Sequence, residues 1–187
     1  MSVFSYINAE SFRLADTVAN PALNMIMKYW AESFYVVLLA LLAYLYIKKD
    51  ENIFPYAISV VVLYGIGEII KLIVMEPRPC ANPDFSWINQ VGCESGYSFP
   101  SNHATVLTGL FIFFNNYKYV RAAYIIWVII VLFGRIYLGQ HYMTDVIVGA
   151  IISIAFCYMM HKYRKRIDLI SKKILVVFSP VTGLIGI

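Results

Sequence analysis

The sequence predicts an all-α integral membrane helical bundle of five to six transmembrane helices, and three observations predict it. Of the 187 residues, 60% are hydrophobic. Only 14% are charged, against about a quarter in an ordinary soluble domain. Apolar runs of helix-spanning length also recur along the chain, each closed by charges, prolines or glycine. A crossing takes about 20 residues, so the whole chain, 1–187, reads as a single integral membrane domain with no room for a separate soluble one. The composition excludes disorder, which needs low hydrophobicity and high charge. Three cysteines are too few for a disulfide scaffold. No basic stripe alternates with exposed aromatics, so no nucleic-acid partner is implied.

The first twenty residues mix Phe4, Tyr6, Ile7, Phe12 and Leu14 with polar neighbours, a pattern for a short helix at the membrane surface. They lack the basic start and compact apolar run of a cleavable signal. The first span is expected over 29–47, stopped by Lys48, Lys49, Asp50 and Glu51. The second is expected over 54–75, ended by Pro77 and Pro79, which remove backbone donors and disfavour helix in the residue before. Residues 76–99 form the one long polar connection. A short third span is expected from Pro100 to Asn115, a fourth over 120–138 ended by Gly139, and a fifth over 143–160 before His161, Lys162, Arg164, Lys165 and Arg166. The tail, 174–187, is apolar but interrupted by Pro180 and two glycines, and is expected to be interfacial or partly inserted.

If the five spans alternate, Lys48, Lys49, Lys118, Arg121, Lys162, Arg164, Lys165, Arg166, Lys172 and Lys173 fall on one side, the cytoplasmic one by the positive-inside bias. Arg13, Lys28, Lys71, Arg78 and Arg135 remain for the other. Three polar clusters gather at that outer side. Lys71 precedes Arg78 by seven positions, so the two face one way if the helix persists nearly to Pro77. Pro100, Ser101, Asn102 and His103 open the third span. Arg135 is followed by His141 and Asp145, whose four-residue step would stack them on one helix face. Three cations converging in a low-dielectric setting call for an anion, and a phosphate fits the guanidinium fork and the lysine point charge. His141, oriented by Asp145, suits a nucleophile toward phosphorus. His103 suits a general acid and base. No cluster has metal-ligand spacing, and no cofactor is implied.

These residues resemble the three-part signature of the type 2 phosphatidic acid phosphatase superfamily, membrane lipid phosphatases related to vanadium haloperoxidases. Lys71, Arg78 and Pro79 match its first motif in full. Pro100, Ser101 and His103 match the second, with Asn102 in place of glycine. Arg135, His141 and Asp145 match the third, with Gly134 in place of serine. Asparagine tolerates the left-handed backbone best among non-glycine residues, so the first departure is mild; the second removes a hydroxyl donor. The resemblance implies a metal-independent phosphatase with His141, His103 and Asp145 catalytic and Lys71, Arg78, Ser101, Asn102 and Arg135 holding the phosphoryl group. It implies a multi-pass plasma-membrane protein with its site on the extracytoplasmic side, acting on a polyprenyl diphosphate such as the undecaprenyl carrier. Phosphatidylglycerophosphate, phosphatidic acid and lipid A are the alternative substrates.

Singly, each cluster has a plainer reading: snorkelling cations, a capping histidine, an aspartate at a helix N-terminus. A non-catalytic lipid-headgroup-binding protein or an anion-conducting bundle would use the same positive charge, but neither needs an oriented imidazole. Cys80 and Cys93 permit a bridge in an oxidising compartment and are equally compatible with free thiols. Cys157 is expected to pack within a span. Glu68, one turn before Lys71, is expected to pair with it rather than to face substrate, while Glu76, Asp84 and Glu94 read as solvated loop charges in preference to a ring around the entrance. Tyr29, Trp30, Trp87 and Trp127 read as interface-belt or packing residues.

Overall fold

The computed structural model describes residues 3–81 and 92–178. Eight α-helices follow in order: α1 Val3–Thr17, α2 Pro21–Glu32, α3 Phe34–Ile47, α4 Ile53–Val74, α5 Asn102–Leu107, α6 Lys118–Tyr137, α7 Met143–Lys162 and α8 Arg164–Phe178. Among the described residues, four stretches are long and apolar enough to cross a membrane: Pro21–Ile47, Ile53–Ala81, Lys118–Tyr137 and Met143–Lys162. Only 22 to 33% of their most apolar windows is buried within the protein. Large apolar side chains such as Val36, Leu39, Val61, Ile73, Ile129 and Ile151 face outward, as a hydrocarbon solvent requires.

The first crossing differs from its expected form. It starts at Pro21 rather than Tyr29 and is two helices, α2 and α3, meeting at Ser33. Asn20 caps α2 by accepting from the Leu23 N–H at 2.9 Å, and Pro21 occupies the first turn, where its missing N–H costs nothing. The third crossing is shorter than a regular span. α5 ends at Leu107, and a tighter 3-10 turn over Leu110–Phe114 continues it. Gly109 stands between them because a Cβ there would lie 2.3 Å from the Ser153 carbonyl oxygen of α7. In place of a side chain, its N–H donates to Ser153 Oγ at 2.8 Å.

α7 is the axis of the bundle. It packs on α5, α4 and the 3-10 turn, while α6 packs on α2. Gly149 permits the α5–α7 approach, since a Cβ would stand 2.8 Å from Thr105 Oγ1 and 2.9 Å from Ala104 Cβ. Buried Leu45, Tyr56, Leu63, Leu110, Phe113, Phe114 and Val131 fill the centre. The first helix is more than a surface segment: Phe12 and Ala15 are buried against α6 and α7 neighbours, and Asn8 Nδ2 donates to Thr144 Oγ1 at 3.3 Å.

The three turns at the basic end meet. Tyr117 donates to Asp50 Oδ2 at 2.8 Å, Arg164 Nε to Glu51 Oε1 at 2.6 Å, and His161 Nδ1 lies 3.1 Å from Asn52 Oδ1. The shorter apolar segment Asn102–Phe114 thus runs from the far end of the bundle to this one, where the turns after α3 and α7 also lie. After Lys162 the chain re-enters helix as α8; residues 179–187, the end of the apolar tail, lie outside the described residues, as do Asp84 and Trp87.

Candidate active site

At the opposite end lies a cavity of about 510 Å³, lined by residues from α2 to α6 and by the 94–97 and 141 connections. Lys71, Arg78, Asn102, His103, Arg135 and His141 all reach it. Three of its cations are buried, Lys71 at 8%, Arg78 at 5% and Arg135 at 3% exposure. Ser101 and Asp145 stand just behind the lining and are fully buried.

The local routes differ from helical stacking. α4 stops at Val74, Met75 takes a left-handed conformation (φ 53°), and Arg78 turns back into the site from the connection beyond. There Arg78 Nη1 donates to the Gln140 carbonyl at 2.9 Å and lies 3.4 Å from His141 Nε2. His141 likewise precedes α7, so it and Asp145 do not share a helix face. Gly139, at φ 65°, turns the chain between α6 and α7, and Asp145 reaches back to accept from the Tyr142 N–H at 2.8 Å. The same oxygen, Oδ2, lies 3.4 Å from His141 Nδ1.

Ser98 completes this arrangement. It is fully buried, donates its hydroxyl to Asp145 Oδ2, and stands 3.5 Å from His141 Nδ1. With Asp145 on the Nδ1 side, the imidazole carries its proton on Nδ1 and its lone pair on Nε2, facing the cations. Burial first, and then the charges of Arg135, Arg78 and Lys71, holds the His141 pKa well below the ordinary imidazole value. The ring is neutral. Ser98→Ala is expected to lower kcat by about 10-fold to 100-fold with KM little changed, since it loosens the ring's orientation and leaves the anion cradle intact; steady-state kinetics, with Ser98→Thr as the conservative variant, check it.

Glu68 lies 3.8 Å from Lys71 Nζ and also accepts from Asn102 Nδ2. Asn102 is the first residue of α5 and is not left-handed, contrary to the expected reason for its tolerance. It fits because position 67 is glycine: a Cβ there would meet Asn102 Oδ1 at 2.3 Å. At Gly134 a Cβ would meet Met27 of α2 at 3.5 Å, ordinary contact.

Glu94 is not a solvated loop charge. Arg135 Nη1 and Nη2 donate to its two oxygens at 2.6 and 2.5 Å, and Arg78 Nη2 is 3.5 Å from Oε2. Partial burial pushes its pKa up, but the Arg135 hydrogen bonds and charge, with that of Arg78, outweigh this and hold it below the usual carboxylate range. Cys80 and Cys93 are bridged, with Cα atoms 5.6 Å apart, and the bridge holds Glu94 beside the site. Ser98 and Gln140 escaped the sequence reading because their partners lie more than 40 residues away, and Glu94 was read as a loop charge because its Arg135 partner lies 41 residues on. The one available signal was the proximity of Ser98 and Glu94 to His103.

Five buried polar atoms here have no protein partner among the described residues: Arg78 Nε, Arg135 Nε, Ser101 Oγ, Asn102 Oδ1 and Asp145 Oδ1. Three of them, Arg78 Nε, Arg135 Nε and Ser101 Oγ, are donors, and orphaned buried donors are rare in folded proteins. No group of three or more His, Cys, Asp or Glu among the described residues is arranged to hold a metal.

Known proteins share this construction. Undecaprenyl-diphosphatase of Sulfolobus acidocaldarius is 29% identical over 153 residues, 76% of this chain and 71% of that one. The crystal structure of Aquifex aeolicus LpxE superposes with a TM-score of 0.73 at 25% identity, covering 87% of this chain and all of the other. That of the PAP2-type phosphatidylglycerolphosphate phosphatase of Bacillus subtilis gives 0.68 at 18% identity over 89% and 88%, a likeness of fold. The PAP2 superfamily pattern matches residues 52–168, well over half of the chain and all three clusters, and the protein belongs to the PAP2 superfamily of membrane lipid phosphatases.

Proposed function

We propose that the protein hydrolyses the terminal phosphate of a membrane lipid, a polyprenyl diphosphate of the undecaprenyl type, through a phosphohistidine at His141. The observation that carries this is the set of buried cations, with the orphaned donors Arg78 Nε, Arg135 Nε and Ser101 Oγ, around a buried imidazole whose Nε2 lies 3.4 Å from Arg78 Nη1. A phosphoryl group seated on Lys71, Arg78, Arg135 and Ser101 displaces Glu94 from Arg135. His141 Nε2 attacks phosphorus as the bond to the bridging oxygen breaks, and His103, which takes up a proton when the anionic headgroup binds beside it, gives that proton to the oxygen. His103, now neutral, takes a proton from a water that attacks the phosphohistidine, releasing orthophosphate and restoring the imidazole. Asp145 stabilises the positive charge on the phosphorylated ring, as in the Ser-His-Asp arrangement.

The lipid tail has a path between α3 and α4. Tyr35, Tyr64 and Leu72 line the cavity on that side. Further along the same seam, Leu39, Leu42, Tyr46, Phe54 and Ala57 line a second, apolar recess of about 420 Å³. Substrate would enter sideways from the outer leaflet, the extracytoplasmic side by the basic-residue asymmetry. The test is phosphate release by purified protein from defined polyprenyl diphosphate, phosphatidylglycerophosphate, phosphatidic acid and lipid A. The expected result is highest kcat/KM on the polyprenyl diphosphate, unaffected by chelators and inhibited by vanadate. Lipid A and phosphatidylglycerophosphate are the competing substrates; highest turnover on either would replace the polyprenyl assignment, and turnover confined to soluble aryl phosphates would sink every lipid reading.

A further inference from the structure

A second cavity of about 320 Å³ adjoins the first and shares Glu32, Glu94 and Arg135 with it. Beyond that common wall it is lined by Lys28, Leu138 and Gln140, with Lys28 exposed. Lys28 is an outer-side cation for which the catalytic arrangement has no use.

Hydrolysis of a lipid phosphate makes two products with opposite solvent needs. The lipid can return to the bilayer past Tyr35, Tyr64 and Leu72, which are 67, 45 and 63% exposed on the membrane-facing side. For orthophosphate that route leads into hydrocarbon, where a charged group is strongly disfavoured. We propose that the second cavity is the exit vestibule for inorganic phosphate, with the Glu94–Arg135 pair as its inner door and Lys28 as the cation met on the way to water. This rests on the phosphatase reading above.

The door is built to swing at one side chain. The main chain of Glu94 is fixed: its N–H donates to Gln140 Oε1 at 3.1 Å, and the preceding Cys93 is bridged to Cys80, whose N–H donates to the Gly139 carbonyl at 2.9 Å. Its side chain is half exposed. With phosphoryl on Arg135, the Glu94 carboxylate turns outward. When phosphate moves on toward Lys28, the carboxylate returns to Arg135 behind it, and the pair closes against rebinding.

The experiment uses Lys28→Cys in the full chain. Cys80 and Cys93 are bridged and Cys157 is buried, so the new thiol is the reactive one. Coupling a polyethylene-glycol maleimide to it should leave the first turnover of lipid substrate unchanged, slow later turnovers by about tenfold or more, and slow the onset of orthovanadate inhibition by a similar factor. Unchanged steady-state turnover and vanadate onset would overturn the vestibule. So would loss of the first turnover, because the cavity would then belong to the lipid route. Absence of phosphate release from the unlabelled wild-type protein sinks the phosphatase reading itself, and the exit route with it.

Discussion

His141→Ala is expected to abolish phosphate release, by at least about 10⁴-fold in kcat, while the protein stays folded in detergent. The size follows from the role: no neighbouring group can take over the bond to phosphorus. Asp145 sits on the Nδ1 side of the ring and is itself engaged by Ser98 and the Tyr142 N–H. His103 sits against Phe34, with ring centroids 5.0 Å apart, and in the proposed cycle it serves proton transfer. The fold should survive because alanine removes a neutral side chain and leaves Arg78 its bond to the Gln140 carbonyl. The check is phosphate release together with the thermal midpoint and gel-filtration profile. Retained turnover at an unchanged midpoint would remove His141 as nucleophile.

The second large effect is on stability. Gly109→Ala drives a methyl group into the Ser153 carbonyl, whose carbon would be only 2.6 Å away and whose backbone belongs to the central helix. A rigid helix backbone cannot rotate aside as a side chain can, so α5 and α7 must separate. Overpacking of this kind costs about 1–3 kcal/mol, and more where backbone must move. The site suffers too, because α5 carries His103 and α7 carries Asp145. A clearly lower thermal midpoint in detergent and reduced turnover are expected; an unchanged midpoint would show that the contact is not tight in the membrane.

These two residues differ in how readable they are. The place of His141 in the cavity was legible because residue type and local spacing to Arg135 and Asp145 single it out. Lys71, Arg78 and His103 were legible for the same reason, and the apolar runs gave the long crossings. Gly109 was not, since its constraint comes from a helix 44 residues further along. The routes into the site were also misjudged. Helical stacking was expected for Lys71 with Arg78 and for His141 with Asp145, yet a left-handed Met75 and a turning Gly139 deliver them instead. Periodicity describes regular helix and says nothing about such turns. Glu94 was misread because solvated loop charges are the common case; its two arginine partners, one of them 41 residues away, made it otherwise.

The bonds joining the three turns at the basic end bear on how the tail of the proposed lipid substrate could be admitted. Tyr117 grips Asp50, Arg164 grips Glu51 and Asn52 meets His161, so the hinge between α3 and α4 is clamped. Any parting of the pair would then pivot at this end and be widest beside the cavity. Tails of unequal length would hang in the same slot without disturbing that opening.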